Sequence, residues 1–210
     1  MTMLYLVRHG ESAYNLEGRV QGQLDPPLTE TGLRQAAALA ERLAPQKFDA
    51  VYSSDLARAS KTARIISKQQ GLDVITTPLL RESRLGVVEG LTQEEIERRY
   101  PTRDHPWRQD PFNHRPPGAE SISEVICRAR DFLRLIHEKH ERCERILAVG
   151  HIGSIRAIIT AALHLPEHVY RALHVSNASI SALRLENPPV LTLLNDTCHL
   201  DGTSVNSEEL

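Results

Sequence analysis

MLYLVRHGES, residues 3–12, is an apolar run that stops at two ionisable side chains. The part from Met3 to Val7 is typical of a buried β-strand, and Arg8 and His9 follow it directly. Ligands of open α/β sheets bind at the carboxyl ends of the strands, which is where these two side chains stand. The other interpretation is an ordinary strand end with a surface arginine, and this stretch alone does not decide between them.

Strand-like and helix-like segments alternate along the chain, which favours an α/β fold with a mostly parallel sheet. At 210 residues the chain is suited to one domain, predicted here over residues 1–210. Further strands are predicted at 48–54, 72–78 and 146–151, with a terminal hairpin at 179–186 and 189–195. Helices are predicted at 29–43, 55–71, 121–140 and 153–165.

Two of these helices have recognisable ends. The helix at 29–43 has Thr29 as its predicted N-cap, and the helix at 55–71 is closed by Gly71. Apolar spacing in the first helix predicts a buried face made of Leu33, Ala36, Ala37 and Ala40.

The composition argues against several classes of partner. The formal net charge of −2 disfavours nucleic-acid binding through a global positive field. The three cysteines, Cys127, Cys143 and Cys198, are not at metal-ligand spacing and are expected to be reduced thiols. No stretch has the length of a membrane span or of a signal sequence. We therefore expect a cytoplasmic protein without a nucleic-acid or membrane partner.

Two strand ends carry the same combination of residues. His9 follows the first predicted strand and precedes Gly10, and His151 follows the strand at 146–151 between Gly150 and an Ile-Gly pair. In a parallel sheet both histidines would lie at the same edge. A single histidine is most often a packed or surface residue, but two of them at strand ends beside glycines favour a function.

Arg58 lies in the first turn of the second long helix, for which Ser54 and Asp55 are the candidate caps. A helix N-terminus at the carboxyl end of a strand is an anion site, and an arginine there strengthens it. The alternative is that Arg58 belongs to a solvated face together with Lys61 and Arg64.

Residues 100–118 are rich in proline and have no helical or strand period. Long unpatterned loops in compact domains are usually functional or disordered, and the aromatic side chains here disfavour disorder. We therefore predict a lid or pocket wall at about 91–120, with an irregular surface loop as the alternative. Candidate pocket residues are Val20, Gln23, Trp107, Phe112, His114 and Arg115.

Six stretches, in this order, resemble the histidine phosphatase superfamily, the phosphoglycerate-mutase-like group: LVRHGES, NLEGRVQGQLDPPLTETGLRQA, VYSSDLARASKTA, LRESRLGVVEG, PPGAES and LAVGHIGSIRA. The resemblance covers nearly the whole chain. It implies a single α/β domain with helices on both faces of a mostly parallel sheet. It also implies a metal-independent phosphatase without a cofactor, which hydrolyses a small-molecule phosphate ester through a phosphohistidine.

The resemblance also implies a role for individual residues. His9 would be the nucleophile, and Glu82 stands where the phosphatases of the superfamily keep their proton donor. The phosphate would be held by Arg8, Asn15, Gln21, Arg58 and His151. The chemistry of these residues agrees, because guanidinium groups match phosphate oxygens and keep a neighbouring histidine neutral. A carboxyl group that is protonated near neutral pH can supply the proton that a leaving alkoxide needs.

Three other functions stay open. The sequence lacks the zinc-ligand spacings that a metal hydrolase needs. A non-catalytic phosphate-binding module would normally have lost one of the key residues. The serious rival is a cofactor-dependent phosphoglycerate mutase, since the segment from Arg103 to Arg115 carries arginines and histidines suited to a second phosphate. Against it, EGLTQEEIERRYP stands where the mutases typically carry a long basic insertion.

The identity of the substrate stays open as well. Superfamily members that act on phosphoserine often have a histidine at the position of Leu85. Sugar phosphates, phosphoglycerate-type acids and nucleotides remain candidates, and the sequence leaves a homo-oligomer open.

Overall fold

The computed structural model describes residues 2–110, 114–140 and 144–200, and the predicted pocket residue Phe112 and the cysteine Cys143 lie outside these ranges. The strands are β1 (Thr2–Arg8), β2 (Ala50–Ser54), β3 (Val74–Thr77), β4 (Arg145–Gly150), β5 (Ile180–Leu185) and β6 (Val190–Asp196). The α-helices are α1 (Ala13–Leu16), α2 (Glu30–Leu43), α3 (Ala57–Gln70), α4 (Gln93–Arg99), α5 (Pro106–Gln109), α6 (Ile122–Lys139) and α7 (Ile152–Ala162). Short 3₁₀ turns lie at Pro78–Leu80, Gly86–Val88, Thr102–Asp104, Glu167–Ala172 and Cys198–Leu200.

The six strands form one sheet in the order β3-β2-β4-β1-β5-β6. The first four strands in the chain are parallel to one another, and β5 runs antiparallel to β1 and to β6. The α/β fold with a mostly parallel sheet and a terminal hairpin is therefore confirmed. Because Arg8 at the end of β1 pairs with Gly150 at the end of β4, His9 and His151 leave the sheet side by side.

Helices cover both faces of the sheet, as the resemblance implied. Successive side chains of β1 contribute to different hydrophobic layers, since Leu4 and Leu6 point to one face of the sheet and Val7 points to the other. The first face packs against α6 and α7, where Phe132 is fully buried. The second face packs against α2 and α3, where Ile66 is fully buried. Strands buried on both faces explain the continuous apolar runs in β1 and β4.

The predicted cap of α2 is confirmed, because Thr29 Oγ1 accepts a hydrogen bond of 3.0 Å from Gly32 N. Part of the predicted buried face is wrong. Ala36 and Ala40 are buried, whereas Leu33 and Ala37 are exposed. The buried positions of the helix are instead Gly32, Gln35, Ala36, Leu39, Ala40 and Leu43.

The close approach of α2 to the loop after β1 explains which of its positions are buried. A Cβ atom on Gly32 would lie only 2.0 Å from the carbonyl oxygen of Glu11, so the helix approaches this loop through a position that must be glycine. Gln35 Oε1 accepts a hydrogen bond of 2.8 Å from Glu11 N. Helix α2 thus turns a glycine and an amide, rather than its largest apolar side chains, toward the segment that carries His9.

The N-terminus of α3 differs from the prediction. Its N-cap is Leu56, and neither Ser54 nor Asp55 caps the helix with its side chain. The carboxylate of Asp25, which comes from the loop before α2, accepts a hydrogen bond of 2.7 Å from Ala57 N. Asp55 forms an ion pair with Arg81 instead. At the other end, Gly71 closes the helix in the left-handed conformation, as predicted.

The proline-rich segment is more regular than its sequence indicates. Helices α4 and α5 and the turn Thr102–Asp104 lie within the predicted lid at 91–120. Isolated bridges join Arg19 to Thr92 and Leu85 to Ala119, so both ends of the segment are attached to the domain.

In the described ranges, neither Cys127 nor Cys198 forms a disulfide. No helix of those ranges is long and apolar enough to cross a membrane.

Candidate active site

His9 stands at the end of β1 with 2% of its surface exposed. Its Nδ1 lies 2.7 Å from the carbonyl oxygen of Gly10, and because a carbonyl can only accept, Nδ1 carries the proton. Nε2 is then the lone-pair nitrogen, and it accepts a contact of 3.3 Å from Arg58 Nε. Burial, followed by the charges of Arg58 and Arg8, lowers the pKa of His9 well below 6.5. The imidazole is therefore neutral at physiological pH, with Nε2 available as a nucleophile.

Arg58 is 1% exposed, so the solvated-face interpretation is wrong for this residue, although it holds for Lys61 and Arg64. Its Nη1 donates to the carbonyl of Leu24 at 2.7 Å, and its Nη2 donates to the carbonyl of Gly22 at 2.9 Å. The guanidinium therefore ties the loop between α1 and α2 to the start of α3 and directs its remaining edge at His9.

Arg8, the last residue of β1, is 4% exposed and lines the same cavity as His9 and Arg58. Its Nη1 donates to the carbonyl of Val175 at 2.7 Å. Arg58 Nη1 also lies 3.5 Å from Asp25 Oδ1. Two buried guanidinium groups that line one cavity give it a positive field, which favours the binding of an anion.

His151 is the N-cap residue of α7 and is completely buried. Its ring centroid lies 5.0 Å from that of His9. Neither of its ring nitrogens has a hydrogen-bond partner among the residues that the structure describes. A buried polar group without a partner is costly, and a bound phosphate oxygen at the helix N-terminus would satisfy it.

Glu82 lies in the loop after the turn Pro78–Leu80 and is 7% exposed. Its carboxylate accepts hydrogen bonds from Ser83 N at 2.7 Å and from Gly153 N, in the first turn of α7, at 3.0 Å. Burial raises the pKa of Glu82, and this effect outweighs the opposing hydrogen bonds and the charges of Arg58 and Arg8. The acid form of Glu82 therefore persists to a higher pH than that of an exposed glutamate.

Asn15 and Gln21 hold the loop that follows β1. Ser12 Oγ lies 2.9 Å from Asn15 Oδ1 and 2.8 Å from Gln21 Oε1. Both side chains line the same cavity as His9, and an amide nitrogen is a donor suited to a phosphate oxygen.

A cavity of about 960 Å³ opens over this edge of the sheet. It is lined by six of the seven predicted site residues, namely Arg8, His9, Asn15, Gln21, Arg58 and Glu82, and His151 is buried next to His9. Within the described ranges there is no group of three His, Cys, Asp or Glu side chains that could hold a metal ion. The donors that converge here are cations and amides, an arrangement that suits an anion.

The family model of the histidine phosphatase superfamily (branch 1) matches residues 4–197. The chain belongs to this superfamily. Phosphoserine phosphatase 1 of Hydrogenobacter thermophilus is 35% identical over 95% of both chains. The probable phosphoglycerate mutase GpmB of Yersinia pestis is also 35% identical, over 96% of both chains.

Solved structures of the superfamily have the same fold. A mycobacterial glucosyl-3-phosphoglycerate phosphatase complexed with VO3 superimposes with a TM-score of 0.84 at 34% identity, over 93% of this chain and 99% of that one. A phosphoserine phosphatase mutant from Entamoeba histolytica in complex with phosphoserine superimposes with a TM-score of 0.81 at 30% identity, over 95% of this chain and 100% of that one.

Two residues that hold the candidate site in place are absent from the sequence-based prediction. Asn177 Nδ2 donates to the carbonyl of His9 at 3.2 Å and to Asn15 Oδ1 at 3.1 Å. Arg128 of α6 donates to the carbonyls of Leu79 and Arg81, which precede Glu82, at 3.1 and 2.7 Å. An asparagine in a turn and an arginine in an amphipathic helix are common, so the spacing gives no signal for either role.

Arg58→Lys is expected to keep the fold and to recover only part of the activity that Arg58→Ala loses. A lysine supplies the charge, but it cannot bind the carbonyls of Gly22 and Leu24 and a phosphate at the same time. The measurement is the turnover of p-nitrophenyl phosphate together with competitive inhibition by inorganic phosphate. Lys61→Ala, a change at an exposed position of the same helix, is the control, and full activity of Arg58→Lys would show that the guanidinium geometry is not needed.

Proposed function

We propose that this protein hydrolyses phosphate monoesters of small metabolites through a phosphohistidine formed on His9. One observation carries the proposal: a neutral His9 with a lone pair on Nε2 shares its cavity with two buried guanidinium groups and with the raised-pKa carboxyl of Glu82. The names of the relatives agree, since they include phosphoserine and glucosyl-3-phosphoglycerate phosphatases.

In the proposed binding step, the dianionic phosphate enters between Arg8 and Arg58 and gives the ring of His151 its missing partner. Phosphoryl transfer needs little more than positioning and charge stabilisation, which two guanidinium groups and a helix N-terminus provide. The phosphate also takes over the edge of Arg58 that now contacts His9, which leaves Nε2 facing the phosphorus.

In the first chemical step, Nε2 of His9 attacks the phosphorus, and the bond from phosphorus to the ester oxygen breaks. The protonated carboxyl of Glu82 gives its proton to the departing oxygen, so that a neutral alcohol leaves. The bound phosphate is itself negative, which raises the pKa of Glu82 further and favours the acid form before the transfer.

In the second step, water attacks the phosphohistidine. The carboxylate of Glu82 removes a proton from this water, the bond between phosphorus and Nε2 breaks, and inorganic phosphate leaves with His9 neutral again. Glu82 ends this step protonated and ready for the next substrate.

Three further expectations accompany this proposal. Residues 1–210 form one catalytic domain, residues 91–120 supply the wall of the pocket, and the enzyme works in the cytoplasm without a metal or cofactor. The substrate is a small molecule, in keeping with relatives whose structures were determined with phosphoserine or with 3-phosphoglyceric acid. Leu85, where phosphoserine enzymes of the superfamily often have a histidine, disfavours phosphoserine itself.

A mutase is the second candidate function, because a relative of 35% identity is a probable phosphoglycerate mutase. A non-catalytic phosphate-binding module is a remote third. The deciding assay supplies 3-phosphoglycerate, with and without 2,3-bisphosphoglycerate, and follows both 2-phosphoglycerate and free phosphate. We expect phosphate release without isomerisation. Isomerisation that needs the bisphosphate and outruns phosphate release would establish the mutase, and the absence of turnover on any monoester would favour the binding module.

A further inference from the structure

A second cavity, of about 640 Å³, adjoins the catalytic one. We call it the side chamber. The two cavities share six lining residues, Val20, Ser83, Leu85, Gln93, Tyr170 and Arg171. Because these shared residues include the neighbours of Glu82, a group bonded to a phosphate on His9 has a direct way into the side chamber. Its volume lies in the range of pockets that take small organic ligands.

Much of the wall of the side chamber is apolar. Val88, Ile96, Ala119 and Val125 are all at least nine-tenths buried and line it together with Leu85 and Ile122. Trp107 adds an indole ring, which packs at 5.6 Å from the ring of Tyr100. An aromatic ring on a wall of this kind offers a flat surface for stacking.

Three charged residues of the side chamber, Arg108, Arg115 and Glu120, are paired with charges of the opposite sign. Arg108 forms an ion pair with Glu97, and Arg115 forms one with Glu124. The carboxylate of Glu120 pairs with Arg128 at 3.2 Å. Hydrogen bonds from Ser121, with the charge of Arg115, lower the pKa of Glu124 to about 2, so this pair is fully ionised at neutral pH.

Two further ionisable residues, His114 and Arg171, also line the side chamber. His114 Nδ1 lies 3.9 Å from the carboxylate of Asp110. Arg171 lines both cavities and is exposed, so water screens its charge. Arg108 and Arg115, two of the arginines that the sequence offered to a second phosphate, are therefore each paired with a neighbouring carboxylate.

On the basis of the proposed function, we propose that the side chamber receives the alcohol part of the substrate, and that this part is uncharged and has an apolar or aromatic face. A second phosphate or a carboxylate entering the side chamber would have to displace an existing ion pair and lose its own hydration against apolar side chains. An uncharged aryl or cyclic group loses little hydration free energy when it enters the side chamber, and it gains contact with Trp107 and Leu85.

The kinetic test compares three substrates whose phosphate is on a primary alcohol: 2-phenylethyl phosphate, ethyl phosphate and 3-phosphoglycerate. Their similar leaving groups isolate the contribution of the side chamber. We expect kcat/KM for 2-phenylethyl phosphate to exceed that for each of the other two by about 10- to 100-fold. Equal values, or a preference for 3-phosphoglycerate, would overturn the proposal while leaving phosphatase activity, checked with p-nitrophenyl phosphate, intact.

Trp107→Leu should raise KM for 2-phenylethyl phosphate and thereby remove most of this preference. The loss of kcat/KM on ethyl phosphate should be much smaller. The control is Ile75→Ala, an exposed side chain on the edge strand β3 that lines neither cavity. A loss of equal size on both substrates would contradict the proposal.

Trp107 is the only tryptophan of the chain, so its fluorescence reports on the side chamber without any turnover. In the variant His9→Ala, 2-phenylethyl phosphate should quench or shift the emission at lower concentration than 3-phosphoglycerate does. The opposite order would overturn the proposal even if no substrate were hydrolysed. This readout therefore separates a failure of the side chamber from a failure of the proposed function.

Glu124→Gln provides the converse test, because glutamine keeps the helix-capping hydrogen bonds but no longer neutralises Arg115. We expect 2,3-bisphosphoglycerate to inhibit this variant about 10-fold more strongly than it inhibits the wild type, in line with the strength of one charge-assisted contact. Inhibition of the wild type by 2,3-bisphosphoglycerate that is much stronger than its inhibition by ethyl phosphate would mean that the side chamber already accepts a second phosphate, contrary to the proposal.

Discussion

His9→Ala is expected to lower turnover of every phosphate monoester by at least about 10⁴-fold, as the loss of a nucleophile does in other covalent enzymes. The variant should still fold, because the backbone of residue 9, rather than its imidazole, bonds Gly150, Ala178 and Asn177. The measurement is steady-state release of phosphate, with circular dichroism as the check on folding. His168→Ala, which removes an exposed histidine, is the matched control and should keep full activity.

The assignment of His9 as the nucleophile also predicts which phosphoenzyme is trapped by rapid quenching. Wild-type protein mixed with labelled substrate should yield a phosphoenzyme that is stable in base and labile in acid, with the label on residue 9. Label on Ser12, Ser53 or Ser54 would assign the nucleophile to a serine and refute the role of His9. His9→Ala should give no labelled protein at all.

Glu82→Gln is expected to slow the hydrolysis of ethyl phosphate by about 10²- to 10⁴-fold and that of p-nitrophenyl phosphate far less. An alkoxide needs a proton in order to leave, whereas p-nitrophenolate leaves without one. Glutamine can still accept the hydrogen bond from Gly153 N, so the change removes the proton and keeps the shape. Equal losses on both substrates would show that Glu82 only positions other groups.

The pH dependence gives a second readout of Glu82. Burial raises its pKa, and the acid form is the one needed for the first step, so kcat/KM on ethyl phosphate should fall as the pH rises through that raised pKa. In Glu82→Gln this decline should be absent from the profile. Wild type and Glu82→Gln have to be compared on ethyl phosphate at each pH, because the ionisation of the substrate contributes equally to both of their profiles.

The strand ends are the part of the site that the sequence predicts well. An apolar run that stops at Arg8 and His9, and another that stops before His151, are local patterns, and the parallel direction of β1 and β4 follows from the alternation of strands and helices. The caps at Thr29 and Gly71 are equally local. Where one segment contains both the signal and its cause, the sequence is sufficient.

The contacts that orient these residues come from elsewhere in the chain. The start of α3 is capped by Asp25 rather than by its own neighbours, and His9 is held by Asn177. The buried face of α2 is set by its close approach through Gly32 to the loop after β1. Such choices depend on which segments meet in three dimensions, and periodicity in one segment contains no information on that.

The position of β1 in the middle of the sheet also fixes when the site can exist. Arg8 donates one of its hydrogen bonds to the carbonyl of Val175, 167 residues further along the chain, and β1 pairs with β5 from Thr2 to Val7. A ribosome therefore releases every motif that identifies the superfamily before it makes the strand that completes the edge around His9. Contacts over such separations form late in folding. A chain interrupted after α7 would contain the full signature of the superfamily and still have no assembled phosphate site.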